Sequence, residues 1–329
     1  MASKSFETKA LVEGAMAASL ATMLAAIGYF IPVLQVVTTF IWFIPIIVVI
    51  MRQDLRTGVM ALIVTALLLG MLVNPVRAVF LLLGMGPASL VFGYGFKQRW
   101  PSGKVLLSGG VVVGISALLG LVLSAFIMGF DLTQMRQEML GQADATVELY
   151  RQMGLLDNGA LTEEEIRDLI ATLTQVAVVL LPSVFITGAL FTGCIGFLLA
   201  RMTLKRLNYQ IEDLPPFREW QLPWYFVWGF ILALALLLIG DYYENQTLIN
   251  VSYNIFYIYA PILLISGISV IAFFNHRWKA SKWIKLIILV VILLNLPFAL
   301  MLAVILGLFD PLFSYRKLVK NKDEEKVDK

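Results

Sequence analysis

Cysteine and histidine are almost missing from this chain of 329 residues, which has one of each, Cys194 and His276. A disulfide needs two cysteines, and haem or zinc sites are usually built from several Cys and His ligands. The sequence therefore excludes a disulfide framework and a Cys/His metal cluster, and we expect no bound cofactor. We predict that Cys194 is a small packing residue of a membrane helix and that His276 lies at headgroup level.

Several enzyme motifs are missing as well. The chain has no Gly-x-x-x-x-Gly-Lys-[Ser/Thr] loop, so it does not hydrolyse ATP by the P-loop route. It has no His-Glu-x-x-His motif, and one histidine on the inner rim cannot complete a Ser-His-Asp arrangement on the membrane helices. We therefore expect a protein that is not an enzyme and that binds no nucleic acid.

Charged residues are scarce, at 14% of the chain, whereas hydrophobic residues make up 60%. Soluble domains average about 25% charged residues, so this composition predicts an integral membrane protein. Nine apolar runs are each long enough, or nearly so, to cross a hydrocarbon core of about 30 Å as a helix. These runs are Leu11–Phe30, Val33–Met51, Gly58–Val73, Val76–Phe96, Val105–Phe130, Ile170–Ala200, Trp224–Gly240, Ile249–Phe274 and Trp283–Phe309. The predicted fold is an all-α polytopic bundle of eight or nine transmembrane helices, with a retained first span and a tight turn at Asn74-Pro75.

Basic residues are divided unequally between the segments that connect these runs. With a cytoplasmic N-terminus, fifteen Lys and Arg fall inside and only four outside before the tail, namely Arg77, Arg136, Arg151 and Arg167. The positive-inside rule then predicts a multi-pass protein of the bacterial cytoplasmic membrane, embedded in its lipid bilayer. The basic tail 313–329 breaks this alternation. Either the tail is external, as nine full spans require, or the run Trp283–Phe309 turns back at Asn295 and Pro297.

Acidic residues are concentrated in the segment 131–168, which holds nine Asp and Glu against three Arg. Its first half has apolar residues at every third or fourth position, which is typical of an amphipathic helix. Thr162 and Glu165 then predict a capping box, with Leu161 and Ile166 as its hydrophobic staple. We expect an extracytoplasmic helical hairpin, which is either a solvated cap or a lid for an external ligand or partner.

The second arm of this hairpin is predicted to continue into the membrane. A helix that begins near residue 163 and runs to Arg206 has about 44 residues and measures roughly 66 Å, twice the hydrocarbon thickness. Much of it must therefore stand outside the membrane, and we expect a kink near Pro182.

Ionisable residues are nearly absent from the runs, although an ion-driven carrier usually has one deep in the bilayer. This disfavours a proton-driven or sodium-driven carrier and favours a binding protein that other subunits energise. Candidates for an outward-facing small-molecule pocket are Tyr29, Gln35, Trp42, Asn74 and Arg77. Arg77 is suited to a carboxylate or phosphate, or alternatively pairs with the acidic hairpin or with headgroups.

Two further patterns suggest contacts. The first run contains Ala17, Ala21 and Ala25 at a spacing of four, which allows close helix approach, either within the chain or to a partner subunit. The loop 201–223 contains Phe217, Arg218, Glu219 and Trp220 between prolines. This cytoplasmic motif either anchors its aromatic residues at the headgroups or presents them to a partner.

Three stretches resemble the YybS-like family of uncharacterised polytopic bacterial membrane proteins. They are Leu11-Val-Glu-Gly-Ala-Met-Ala-Ala18, Pro216-Phe-Arg-Glu-Trp-Gln-Leu-Pro223 and Gly307-Leu-Phe-Asp-Pro-Leu-Phe-Ser-Tyr-Arg-Lys317. The likeness extends over essentially the whole chain. None of the three is a catalytic motif, so the resemblance implies ancestry and not a reaction.

The first six runs are also similar to the substrate-binding S component of energy-coupling-factor transporters. In that family an Ala-x-x-x-Ala motif on the first helix docks the coupling subunit, and Ala17/Ala21 and Ala21/Ala25 match it. The resemblance implies a six-helix core with an outward-opening pocket, and partners that include coupling and ATPase subunits. The acidic hairpin and the added spans depart from that family, and the same core resembles the cell-shape protein MreD, a membrane scaffold.

These observations predict six segments: core helices in 1–130, the acidic hairpin in 131–168, a long sixth helix in 169–210, the cytoplasmic loop 211–223, further transmembrane helices in 224–312 and the charged tail 313–329. The favoured function is binding, or assisted transport, of a small molecule without an ATPase of its own. The alternative is a scaffold or regulatory protein in envelope assembly, division or sporulation, with envelope proteins as partners.

Overall fold

The computed structural model of the protein describes residues 2–129, 132–152, 162–277, 281–313 and 315–316. These residues form helices and connecting turns and contain no β-strand, which confirms the all-α prediction. The helices are α1 (Ala2–Phe30), α2 (Pro32–Ile41), α3 (Ile44–Arg52), α4 (Leu55–Leu72), α5 (Pro75–Lys97), α6 (Ser102–Met128), α7 (Leu132–Gln152), α8 (Glu163–Arg206), α9 (Val227–Tyr242), α10 (Gln246–Arg277), α11 (Lys282–Leu294) and α12 (Leu296–Phe313). Among the described residues, nine helical segments are long and apolar enough to cross a membrane.

Two of the predicted runs are broken by proline. The second run divides at Trp42 and Phe43 into α2 and α3, because Pro45 has no N–H to continue the helical ladder. The last run divides at Asn295 into α11 and α12, with Pro297 in the first turn of α12. The turn predicted at Asn74-Pro75 is confirmed: Asn74 caps α5.

The chain forms two compact units. Unit 1 comprises Met1–Thr174 and Phe185–Asp213, and unit 2 comprises Gln175–Val184 and Leu214–Lys329. The core of unit 1 is aromatic and aliphatic, with Trp42, Phe43, Ile50, Phe92 and Phe197 fully buried. The Phe197 ring packs on Phe92 at 5.7 Å and on Phe96 at 5.5 Å between centroids.

The capping box that the sequence predicts at the start of α8 is present. The backbone N–H of Glu165 donates to the Thr162 hydroxyl at 3.2 Å, and the Glu165 carboxylate accepts from the Thr162 backbone N–H at 2.7 Å. Arg151, at the end of α7, pairs with Glu163 at this helix start. α8 continues unbroken to Arg206, as predicted. Leu161, the first residue of the predicted hydrophobic staple, lies outside the described residues.

Unit 2 is organised around α10, which packs against α9 and α12. Gly267 and Gly307 lie where α10 and α12 cross, and a Cβ on either would collide with backbone of the other helix. Such close approach gains dispersion energy in a bilayer, where lipid is as apolar as the helices. The crossing therefore fixes α12 against α10 and so positions the residues that follow α12.

Candidate functional site

Four of the five predicted pocket residues lie at the same end of unit 1. Tyr29 is in the last turn of α1, and Gln35 belongs to α2, which packs against Gly28 through Gln35 and Thr38. Asn74 and Arg77 lie in the connection from α4 to α5 and in the first turn of α5. Since α1 and α4 both end here, the two connections bring these residues to one rim, which we call the Tyr29 rim.

Arg77 and Tyr29 are in contact at this rim. The Arg77 guanidinium carbon lies 5.2 Å from the centroid of the Tyr29 ring, a cation–π arrangement. The Asn74 side chain accepts from the backbone N–H groups of Val76 and Arg77 at 2.9 and 3.3 Å, so it serves as the helix cap. No carboxylate of the described residues forms an ion pair with Arg77. Its charge at the rim is therefore available to a ligand.

An apolar groove of about 430 Å³ runs between α1 and α4 next to this rim. Its walls include Met23, Ile27, Phe30, Leu68 and Leu72. Phe30 packs edge-to-face on Tyr29, with 5.1 Å between ring centroids. The rings of Phe30 and Tyr29 therefore lie between the end of the groove and the Arg77 guanidinium.

The structure places Trp42 elsewhere. Its side chain is only 2% exposed and packs edge-to-face on Phe43, at 5.9 Å between centroids. Trp42 is therefore a core residue, which corrects its assignment as a wall of an outward pocket. Sequence alone does not show this because the break between α2 and α3 rotates the residue inward.

The alanine row on α1 faces the interior of unit 1. Ala17, Ala21 and Ala25 are 7%, 0% and 4% exposed, where α1 packs against α2, α3 and α4. Thr65 of α4 approaches closely enough for its hydroxyl to lie 3.4 Å from the Ala18 carbonyl oxygen. These alanines form an intramolecular contact, which is one of the two alternatives that the sequence left open; the partner-subunit contact is not needed to explain the row.

The predicted cytoplasmic motif forms a fixed loop in unit 2. Phe217–Glu219 is a 3₁₀ turn, and the Ser269 hydroxyl of α10 lies within hydrogen-bond distance of the Phe217 and Trp220 carbonyl oxygens, at 2.6 and 2.9 Å. The Trp220 ring N–H donates to the Pro215 carbonyl at 2.9 Å. We call this segment, 215–221, the Trp220 loop.

Arg316, just beyond α12, holds the same loop from the other side. Its guanidinium donates to the carbonyl oxygens of Arg218 and Trp220, each at 2.7 Å. It is buried and lies 3.2 Å from a carboxylate oxygen of Asp310, which is fully buried. The Gln221 amide donates to the Asp310 backbone carbonyl at 3.3 Å. Because these contacts place Arg316 beside the loop, the end of α12 and the Trp220 loop lie at the same end of unit 2.

A groove of about 450 Å³ borders the Trp220 loop, with Phe217, Arg218, Asn275 and His276 among its lining residues. His276 therefore lies where the end of α10 meets the loop. Cys194, in unit 1, is a half-buried residue of α8. Asp310, Arg316 and Ser269 are the residues that sequence reasoning missed. The signal for Asp310 was present, since it is a carboxylate directly after an apolar run, where a buried partner is needed.

Asn254 of α10 completes the backbone hydrogen bonds of α8 beside Pro182. The Asn254 amide donates to the Val179 carbonyl at 2.7 Å and accepts from the Ser183 backbone N–H at 3.0 Å. It thus stands in for the direct Ser183-to-Val179 hydrogen bond of a regular helix.

Comparison with known proteins agrees with this architecture. The family description "Predicted membrane protein (DUF2232)" matches residues 19–311. The chain is 24% identical over 319 residues to "Uncharacterized protein YybS" of Bacillus subtilis (strain 168), covering 95% of this chain and 99% of that protein. No solved structure matches the chain, so the resemblance of the first six apolar runs to S components stays a prediction.

Proposed function

The chain belongs to the DUF2232 family of predicted membrane proteins, and we propose that it binds a small anionic molecule at the Tyr29 rim. The binding is non-enzymatic, and any transport depends on partner proteins that supply the energy. The observation that carries this proposal is the contact between Arg77 and Tyr29. An arginine that has no carboxylate partner in the described part of the chain, and whose guanidinium lies against an aromatic ring, is suited to a carboxylate or a phosphate.

The orientation follows from the distribution of basic residues. In the bacterial cytoplasmic membrane with a cytoplasmic N-terminus, the Tyr29 rim faces outward, and the Trp220 loop faces the cytoplasm. The tail is then cytoplasmic too, because Arg316 lies against that loop. α11 and α12 together return to the side from which they start, at about 20 and 27 Å in length.

Native mass spectrometry of the full-length protein, purified in mild detergent from its own membranes, tests the proposal. We expect an anionic small-molecule adduct on the wild type that is lost from Arg77→Gln. The matched control is Arg136→Gln, which removes another exposed arginine from the predicted outer side. Equal adducts on both variants, or none on the wild type, would contradict the proposal.

A second candidate function is a membrane scaffold, favoured by the fixed conformation of the Trp220 loop. Its carbonyl groups are tied to Ser269 and Arg316, while the Phe217 side chain remains 41% exposed. A loop held in this way presents the same side chains to every partner and loses little entropy on binding. A photoreactive amino acid at position 217 should then cross-link one defined envelope protein, and one at Leu238, an exposed position of the apolar helix α9, serves as the control. Equal yields at both positions would exclude this role.

A further inference from the structure

The groove beside the Tyr29 rim indicates the class of ligand. It extends along α1 from Ser19 to Ile31, about 18 Å at 1.5 Å per residue. That length is slightly more than half of a hydrocarbon core of about 30 Å, which is the depth of one leaflet. The groove therefore has the length to take one extended acyl chain.

The walls of this groove are mostly apolar, and Ser19, at the end far from the rim, and Thr22 are their only hydroxyl-bearing residues. Met23, Phe30 and Leu72 are strongly exposed there, and the hydroxyl of Thr22 already donates to the Ala18 carbonyl at 2.8 Å. A small soluble anion bound at Arg77 would leave these apolar walls uncovered. An alkyl chain gains dispersion contacts along their whole length.

The charge lies at one end only. Phe30 and Leu72 line the end of the groove near the rim, and Phe30 leads through the Tyr29 ring to the Arg77 guanidinium. A molecule with an alkyl chain in the groove would place a head group at Arg77. A guanidinium pairs well with phosphate oxygens, through two parallel hydrogen bonds where geometry permits.

We infer that the groove and Arg77 form a site for one anionic phospholipid, whose acyl chain lies between α1 and α4 and whose phosphate pairs with Arg77. This inference rests on the proposed function and specifies its ligand class. An ordinary annular position differs from this site because it would bind lipids with anionic and zwitterionic head groups equally well.

Native mass spectrometry with added lipid tests this site on the full-length protein. The probes are phosphatidylglycerol, phosphatidylcholine with the same acyl chains, and glycerol phosphate, which has the head group without the chain. We expect one phosphatidylglycerol to bind the wild type about tenfold more tightly than phosphatidylcholine, the factor that one charge-assisted interaction of about 1.4 kcal/mol supplies. Arg77→Gln should remove this preference, whereas Arg136→Gln should keep it.

A second variant tests the chain-binding part. Ala26→Phe places a ring in the groove and should weaken phosphatidylglycerol binding severalfold, while Ala15→Phe, on an exposed position of α1 outside the groove, should not. Melting temperatures in detergent establish that both variants are folded.

The outcomes separate the two proposals. If glycerol phosphate binds as tightly as the lipid through Arg77 and Ala26→Phe has no effect, the lipid inference is wrong and the anion site stands. If Arg77→Gln changes the binding of none of the three probes, both are wrong. Equal binding of phosphatidylglycerol and phosphatidylcholine to the wild type means an annular lipid only, which overturns the inference.

Discussion

Arg316 donates a hydrogen bond of 2.7 Å to the carbonyl oxygen of Trp220, a residue 96 positions earlier in the chain. This contact joins two of the stretches that resemble the YybS-like family, and each of them supplies hydrogen-bond partners that the other lacks. The loop needs a donor for its carbonyl groups, and Arg316 needs acceptors because it is buried. Asp310 supplies the opposite charge at 3.2 Å. The two stretches therefore form one structural unit.

Removal of Arg316 should destabilise the protein strongly. Arg316→Gln leaves the Asp310 carboxylate buried without its cationic partner, and breaking a buried pair typically costs about 3–5 kcal/mol of the free energy of unfolding. The double variant Arg316→Gln with Asp310→Asn should recover part of this loss. Chemical unfolding in detergent measures the free energy of unfolding of the single and the double variants. Additive effects of the two single substitutions would show that the residues are not coupled.

The position of Arg316 beside the Trp220 loop predicts that the tail lies on the same side of the membrane as that loop. In a Cys194→Ser background, single cysteines at Gln210 and Lys320 should resist a membrane-impermeant maleimide in intact cells, whereas one at Gln152 should react. Gln210 reports the loop 201–223, and Gln152 ends the predicted external α7. Labelling of Lys320→Cys together with Gln152→Cys would place the tail outside and contradict the structure of unit 2.

Asn254 should contribute to the stability of the protein mainly because Pro182 interrupts the backbone hydrogen bonds of α8. Asn254→Leu leaves the Ser183 N–H and the Val179 carbonyl without their bridging partner, and we expect a loss of about 1–3 kcal/mol. Pro182→Ala restores an N–H and allows a regular ladder, so it should reduce the effect of Asn254→Leu when the two are combined. The test compares the free energies of unfolding of the wild type, the two single variants and the double variant. If Asn254→Leu costs as much in the Pro182→Ala background as in the wild type, the bridging role is refuted.

Asp54 should make the stability of α4 dependent on pH. Hydrogen bonds from the backbone N–H and hydroxyl of Thr57 lower the pKa of the Asp54 carboxyl below its usual value of 3.8. A lowered pKa means that the stabilisation is fully present above the unfolded value and is lost as pH falls through the folded value. The melting temperature of the wild type should therefore fall more than that of Asp54→Asn between pH 6 and about pH 3. Parallel curves for the two proteins would show that this cap does not titrate as described.

The sequence predicted the helices well because their causes are local. Apolar length predicts the spans, and the Thr162 and Glu165 pair predicts the start of α8. Asn295 and Pro297 predicted a break, but sequence alone left the side of the tail open because it did not show the crossing at Gly267 and Gly307. The contacts of Arg316 with the Trp220 loop favour the same side of the membrane for the tail and for that loop.

The candidate sites were harder to predict, since they depend on which face a residue presents. Tyr29 and Arg77 meet because two helix connections lie at one end of unit 1, and that neighbourhood follows from the hairpin at Asn74-Pro75. Trp42 was misassigned, and the alanine row was left between two alternatives, because small or aromatic residues suit a core and an interface equally well. No local pattern distinguishes these two environments.

Electron cryomicroscopy of the full-length protein in nanodiscs that contain phosphatidylglycerol tests the central claim most directly. We expect one elongated density in the groove between α1 and α4 that ends in a head group at the Arg77 guanidinium, beside the Tyr29 ring. The same preparation of Arg77→Gln should lack the ordered head group. An empty groove in the wild type, or a density that ends away from Arg77, would contradict the claim.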